Sequence, residues 1–368
     1  MAVLRRLLAL SGIARSRILV SAALGTLTVV FGVALMAFAG YLISRAAERP
    51  AILSLTTAIV AVRFFGLARP IARYADRLWS HDLVLRALGR VRARFYERIE
   101  PLAPAELEGF RRGDLMARMV ADVDALQGLY LRGVGPVLVA VAAGAACVGA
   151  TAAFLPSAAV VLAVGLAVGG LAVPLVTGRL GRAAGLRVAP ARGELTAEIA
   201  ELMRAAPELV VYGGEERTLE RIRRADFELD RLGRRGALVN GLGAGLGILV
   251  AGLTVVGVLA VSVQAHESGA LDGVLVAMLA LLAFASFESV AELPSAAREL
   301  SGALTSGTRV LDLIDREPAV RDPEAPLAPP AVPSVELKGV TARYGRDDTA
   351  ALQDFNLRLD PGSRVALV

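Results

Sequence analysis

Val134-Gly-Pro-Val-Leu-Val-Ala-Val-Ala-Ala-Gly-Ala-Ala-Cys-Val-Gly-Ala-Thr-Ala-Ala-Phe154 is followed by the turn Leu155-Pro156-Ser157 and then by a second apolar run, Ala158–Leu180. A helix rises about 1.5 Å per residue, so roughly 20 apolar residues cross the hydrocarbon core of a bilayer, and each run is long enough. Outward from this pair, four more stretches meet the same requirement: Ile18–Ser44 and Ala51–Ile71 before it, Ala237–Val263 and Leu271–Val290 after it. They too come in pairs, joined by short turns around Glu48-Arg49-Pro50 and across Gln264–Gly269. Long polar segments separate the pairs. With 55 % apolar residues the chain carries more greasy surface than one soluble core of 368 residues needs, and the fold class is an all-α polytopic membrane protein of six spans.

Arginine orients the bundle. A dozen arginines fall between Arg69 and Arg132 and another dozen between Arg179 and Arg235, while the short turns hold only Arg45 and Arg49. The positive-inside tendency places both long segments and the N-terminus in the cytoplasm. Lys338 is the only lysine and the net charge is just +5, so the basic residues are first explained as membrane-orienting charge, and nucleic acid is not an expected partner. The arginines ahead of the first span resemble a secretory leader, but the apolar stretch runs on to Ile43, too long for a leader core of about 7–15 residues, and is read as a retained helix. Cys147 is the single cysteine, which excludes an intramolecular disulfide and a paired-cysteine metal or redox site.

The polar segments themselves look helical. Leu83, Leu85, Leu88, Val91 and Phe95 recur at helical spacing in the first, as do Ile199, Leu202, Leu209, Leu219, Ile222 and Phe227 in the second. The membrane helices are therefore expected to continue as stalks beyond the inner interface. Four-residue glycine spacings (Gly165 and Gly169, Gly241 and Gly245, Gly243 and Gly247) suggest close helix packing in lipid. Residues 1–315 read as one membrane domain and the proline-rich stretch 316–333 as an extended linker. From 334 onward the pattern changes to strands: Val335–Val340, Ala351–Leu359 and the apolar run Val365–Val368, with turns between them. So few strands cannot bury a core alone, and 334–368 reads as the opening of an α/β domain.

Two sets of residues carry a resemblance. Val335-Glu-Leu-Lys-Gly-Val-Thr-Ala-Arg-Tyr-Gly, Leu352-Gln-Asp-Phe-Asn-Leu and Pro361-Gly-Ser-Arg-Val-Ala-Leu-Val resemble the start of an ABC nucleotide-binding domain. The resemblance implies ATP and Mg²⁺ as cofactors of the complete protein and makes Tyr344 the aromatic that stacks on adenine. The glycine-rich phosphate loop, which would supply backbone N–H groups, a lysine and a Mg²⁺-binding hydroxyl, does not occur in these residues, so no catalytic residue is expected here and the 368 residues alone are not expected to hydrolyse ATP. In the membrane half, the stretch from Phe110 to Leu126 resembles the first coupling helix of ABC exporters, and Glu208–Arg221 the second. The resemblance marks Arg112, Gly113, Asp114, Asp122 and Asp124 in one, and Tyr212, Gly213 and Glu215 in the other, as residues that dock on a nucleotide domain.

A narrower resemblance runs through Ile43-Ser-Arg-Ala-Ala-Glu-Arg-Pro, Ala61-Val-Arg-Phe-Phe-Gly and Arg73-Tyr-Ala-Asp-Arg-Leu-Trp-Ser-His-Asp. Together these are similar to the CydC family, one half of heterodimeric exporters of the bacterial cytoplasmic membrane that act in cytochrome bd assembly. The resemblance implies a CydD-like partner, a lipid environment, and a small thiol (cysteine or glutathione) or haem as cargo. It also implies haem b ligated through His81 with Arg77 in support; Tyr74, Arg77 and His81 share one helical face, and His81 is the only metal ligand considered. The residues themselves favour a solvated or hydrogen-bonded stalk role for His81, near Asp76 and Asp82. His266 reads as a solvated turn residue. Arg63 and Glu288 are charges inside spans, where a charge needs a cavity or a partner, and are the cavity candidates, with Glu292 behind Glu288. Two other readings stay open: a lipid or peptide exporter, and a membrane haem-binding module without transport.

Overall fold

The structure is a computed structural model that describes residues 2–103, 118–318, 334–343 and 349–366, with isolated linker positions at 325, 328 and 332. Ten helices precede two strands among the described residues: α1 (Ala2–Ser11), α2 (Arg15–Ala47), α3 (Ile52–Ile99), α4 (Val123–Gly128), α5 (Gly135–Phe154), α6 (Pro156–Ala167), α7 (Val173–Tyr212), α8 (Glu215–Glu267), α9 (Gly273–Ser286), α10 (Leu293–Ile314), then β1 (Val335–Ala342) and β2 (Leu352–Leu359). Six stretches of helix are long and apolar enough to cross a membrane: Arg15–Ala47, Ile52–Leu102, Val120–Phe154, Pro156–Gly181, Glu215–Glu267 and Gly273–Ile314, the last interrupted by a turn after Ser286. Wide π-type turns at Leu129–Val134 and Val168–Ala172 splice the third and fourth of these without ending them.

The stalks expected from the leucine spacing are present. α3 is a single helix of 48 residues, about 72 Å long, and α8 one of 53 residues, about 80 Å, against roughly 30 Å of hydrocarbon. α3 runs through Pro70 without ending. α7 stops where a helix must: Gly213 takes φ +65°, and the N–H of Gly214 donates to Leu209 O at 2.9 Å, closing the last turn before Glu215 and Glu216 place acid at the positive start of α8.

Three apolar clusters organise the bundle. Within the spans, Ala143, Ala158, Leu162, Val258, Leu279 and Ala283 are fully enclosed. The Phe31, Phe38, Phe64 and Phe65 rings interlock α2 with α3 at centroid separations of 5.2–6.1 Å. In the stalk, Leu83, Leu88, Val91 and Phe95 of α3 pack on Val123 and on Val310, Leu313 and Ile314 of α10; Leu85, which the spacing grouped with them, points outward. The third cluster seats α1. Leu7 packs into a notch at Gly307, Arg6 Nη2 donates to Asp315 at 2.6 Å, and Arg94 Nη1 donates to Leu10 O at 2.5 Å, covering the open end of α1. The carboxylate beside it holds the exposed Arg6 guanidinium above the ordinary arginine range.

The α7–α8 stalk is different. Its two helices pack on each other through residues such as Thr218 and Leu232, yet Ile199, Leu219 and Phe227 stay exposed. Of the glycine pairs, Gly165 and Gly243 mark true close approaches, since an added Cβ would meet Thr254 Oγ1 at 2.1 Å and Thr177 Cγ2 at 2.9 Å respectively. Gly241, Gly245 and Gly247 face open space instead. β1 and β2 pair antiparallel from Val335 opposite Leu359, with an irregularity at Gly339, whose φ is +56° and whose N–H donates to Asn356 Oδ1 at 2.7 Å. Of the apolar run Val365–Val368, the described residues 365 and 366 are not in a strand.

Candidate functional site

Three helices bring charge together where the spans give way to the stalks. α3 carries Arg69, Arg73 and Arg77 at four-residue intervals, with Asp76, Ser80 and His81 interleaved, so that one face of the helix is a ladder of ionisable groups. The sixth span ends at Ser286 in a tight 3₁₀ turn, Phe287–Ser289, which swings Glu288 toward that ladder before α10 begins. Arg69 Nη2 donates to both Glu288 oxygens at 2.6 Å, and Arg73 Nη2 to Oε1 at 3.3 Å. α2 makes room for the pair with a glycine: a Cβ at Gly32 would sit 2.8 Å from Arg69 Cζ. Two guanidiniums on one carboxylate leave one positive charge in excess.

Glu288 stands between two chambers. The first, of about 680 Å³, is polar and is bordered by Arg73, Asp76, Arg77, His81, Glu288 and Glu292, among others from α2 and α5. Arg132 and Asp124 also border it but are already engaged, with Glu299 at 3.1 Å and with Arg92 respectively. Tyr130 closes part of its wall and donates from its hydroxyl to Ile18 O at 3.3 Å. The side chains of Asp76, Arg77 and Glu292 make no hydrogen bond or ion pair among the described residues, so the chamber presents charge of both signs, with Asp76 within electrostatic reach of Arg77 and His81. The second chamber, of about 480 Å³, is apolar except at the end where Arg69 and Glu288 meet.

His81 and Arg77 thus share the polar chamber, while Tyr74, on an adjoining strip of α3, is 70 % exposed and lines neither chamber. Arg63 is exposed on the outer face of α3 among Val60, Phe64 and Leu67, apart from both chambers. Glu288 borders both chambers, and its partners are Arg69 and Arg73; their four-residue spacing with Arg77 was the available signal. His266 is not simply solvated: its Nδ1 lies 2.9 Å from Leu271 O, bracing the turn before α9.

Among the coupling residues, Asp122 is 7 % exposed and is gripped by Arg309 of α10, with Nε at 2.8 Å from Oδ2, and Asp124 pairs with Arg92 of α3. Tyr212 is 86 % exposed at the tip of the α7–α8 hairpin beside Gly213 and Glu215. Arg112, Gly113, Asp114 and Tyr344 lie outside the described residues. No cluster of three or more metal-ligating side chains occurs among the described residues.

Residues 16–289 match the family model described as "ABC transporter transmembrane region". The chain belongs to that family. This ABC transporter membrane subunit is 28 % identical over 313 residues to the "Glutathione/L-cysteine transport system ATP-binding/permease protein CydC" of Escherichia coli, covering 83 % of this chain and 54 % of that one. It is 25 % identical over 315 residues to the CydC of Haemophilus influenzae (84 % and 54 %) and 28 % identical over 356 residues to the CydD of Bacillus subtilis (94 % and 60 %). The subunit spans a little over half the length of these curated relatives. Its β1–β2 hairpin is consistent with the start of a nucleotide-binding domain, and its six spans make it a multi-pass membrane protein.

Proposed function

We propose that the complete protein is one half of a heterodimeric, ATP-driven exporter of the CydC type, whose polar chamber takes a small zwitterionic thiol such as cysteine or glutathione from the cytoplasmic side. The observation that carries this reading is the mixed charge of the chamber wall. Cysteine and glutathione each present an ammonium beside a carboxylate, and Arg77 and Asp76 stand one residue apart with neither engaged elsewhere. A carboxylate pairs with the guanidinium through charge-assisted bonds while the ammonium pairs with Asp76 or Glu292. The relatives' printed names point to the same cargo. Nucleotide closure of a CydD-like pair would reach the chamber through α3 and α10, which Asp122–Arg309 and Asp124–Arg92 bind to the end of the first coupling region.

ATP-dependent uptake of labelled glutathione and cysteine into inverted vesicles holding the full-length pair tests the reading. Asp76→Asn and Arg77→Gln are each expected to raise KM about tenfold with little change in basal ATP hydrolysis, a loss of one charge-assisted contact. Uptake that is indifferent to both substitutions would sink it.

A second reading, haem b in the same chamber, rests on His81 and Arg77 bordering it together. His81 would offer its imidazole to the iron and Arg77 its guanidinium to a propionate, whereas Tyr74 points elsewhere. When bound, the group would supply redox chemistry that no side chain here has. Unchanged haem absorbance after His81→Ala removes this reading.

A further inference from the structure

The polar chamber accounts for a hydrophilic cargo; the apolar one is left without an occupant. It is lined by Met36 of α2, Gly247 and Ile248 of α8, Phe284 of α9 and Phe287 of the turn after it, and it ends at the Arg69–Glu288 pair. We propose that this chamber binds one acyl chain of an anionic phospholipid from the surrounding bilayer, with the headgroup at the end where Arg69 meets Glu288.

Four observations converge on that occupant. The wall offers nothing but hydrocarbon away from one end, and about 480 Å³ is the size of a small-molecule site. Ile248 and Phe284 line the chamber yet are 74 % and 61 % exposed, so it opens at the surface of this subunit. Arg69 lies about 26 Å along α3 from Ile52, close to the far boundary of a hydrocarbon layer roughly 30 Å thick, which is headgroup depth. The charge near that end is complementary: Glu288, which borders both chambers, meets Arg69 from the apolar one and Arg73 from the polar one, so the three groups together carry one net positive charge, and basic pockets between helices at the arginine-rich face of a membrane select anionic headgroups. The glycine at 247 keeps the floor open, since a Cβ there meets nothing within 4 Å.

The test uses the full-length protein with its partner in nanodiscs containing phosphatidylglycerol or phosphatidylcholine with a photoactivatable group on one acyl chain, and maps the adducts by mass spectrometry. Adducts are expected on Met36, Ile248 or Phe284, with phosphatidylglycerol favoured about fivefold, the preference one net basic charge gives at a membrane surface. Gly247→Leu, or Ala244→Leu if that variant does not fold, fills the chamber and should abolish these adducts, whereas Gly241→Leu, which faces open space outside the chamber, should not. Arg69→Gln should erase the preference for phosphatidylglycerol while leaving the chain adducts. Adducts confined to the outward residues Leu249 and Leu253, equal labelling by the two lipids, or loss of the chamber adducts in excess glutathione would each overturn the proposal, the last by giving the chamber to cargo.

Discussion

Glu288 takes two guanidiniums from α3 in a place where an unpaired charge is costly, so its removal leaves Arg69 and Arg73 facing each other across a narrow gap. The Arg69 and Glu288 side chains are 25 % and 36 % exposed, so water screens the pair in part and its loss should destabilise by about 1–2 kcal/mol, less than a fully enclosed pair. Glu288→Gln and Arg69→Gln are each expected to lower the melting midpoint of the detergent-solubilised protein, and the double variant to fall by less than the sum; strict additivity in that cycle would show that the two do not interact. Gly32→Leu should mimic either single change, because bulk on α2 at that position displaces the Arg69 guanidinium. Neither partner was legible as a pair in the sequence. Arg69 and Glu288 stand 219 positions apart, and periodicity assigns each to a helix without saying which helices touch.

At the scale of the helices, glycines with the same four-residue spacing do different work. Gly165 lets α6 touch Thr254 on α8, so Gly165→Val should cost about 1–3 kcal/mol through overpacking, while Gly245→Val, with open space around it, should be close to neutral in the same thermal melt. α1 offers a second test. Leu7 is 3 % exposed and fills the notch at Gly307, so Leu7→Ala should release α1 from α10 at a cost of about 2–3 kcal/mol, seen as faster amide exchange over 2–11 with the spans unaffected. The stalks were legible because leucines recurring at helical spacing between arginines admit no other regular structure. Which leucines face inward was only partly legible: Leu83, Leu88, Val91 and Phe95 are buried and Leu85 is not.

For the whole molecule, the proposed orientation makes a direct prediction. Cys147 is buried, so its replacement by alanine gives a clean background in which Gly213→Cys, at the exposed α7–α8 tip, should react with an impermeant maleimide in inverted vesicles and not in intact cells. Labelling from outside would invert the topology and remove the cytoplasmic route to the chamber. The exposed Ile199, Leu219 and Phe227 on the same hairpin should become protected on assembly with a second half, measurable as slowed exchange along α7 and α8 in the pair relative to the single subunit. By itself the sequence determined six spans, their pairing through short turns, the arginine-rich stalks and the strand pattern that follows, because lipid accepts only helices with satisfied backbones and penalises charge by depth. Only the tertiary structure decided that Glu288 meets Arg69 and Arg73 and not Arg63, that His81 and Arg77 share a chamber without Tyr74, and that an apolar chamber opens beside them. Those outcomes depend on how helices rotate and cross, and side-chain packing between segments distant in the chain sets that rotation.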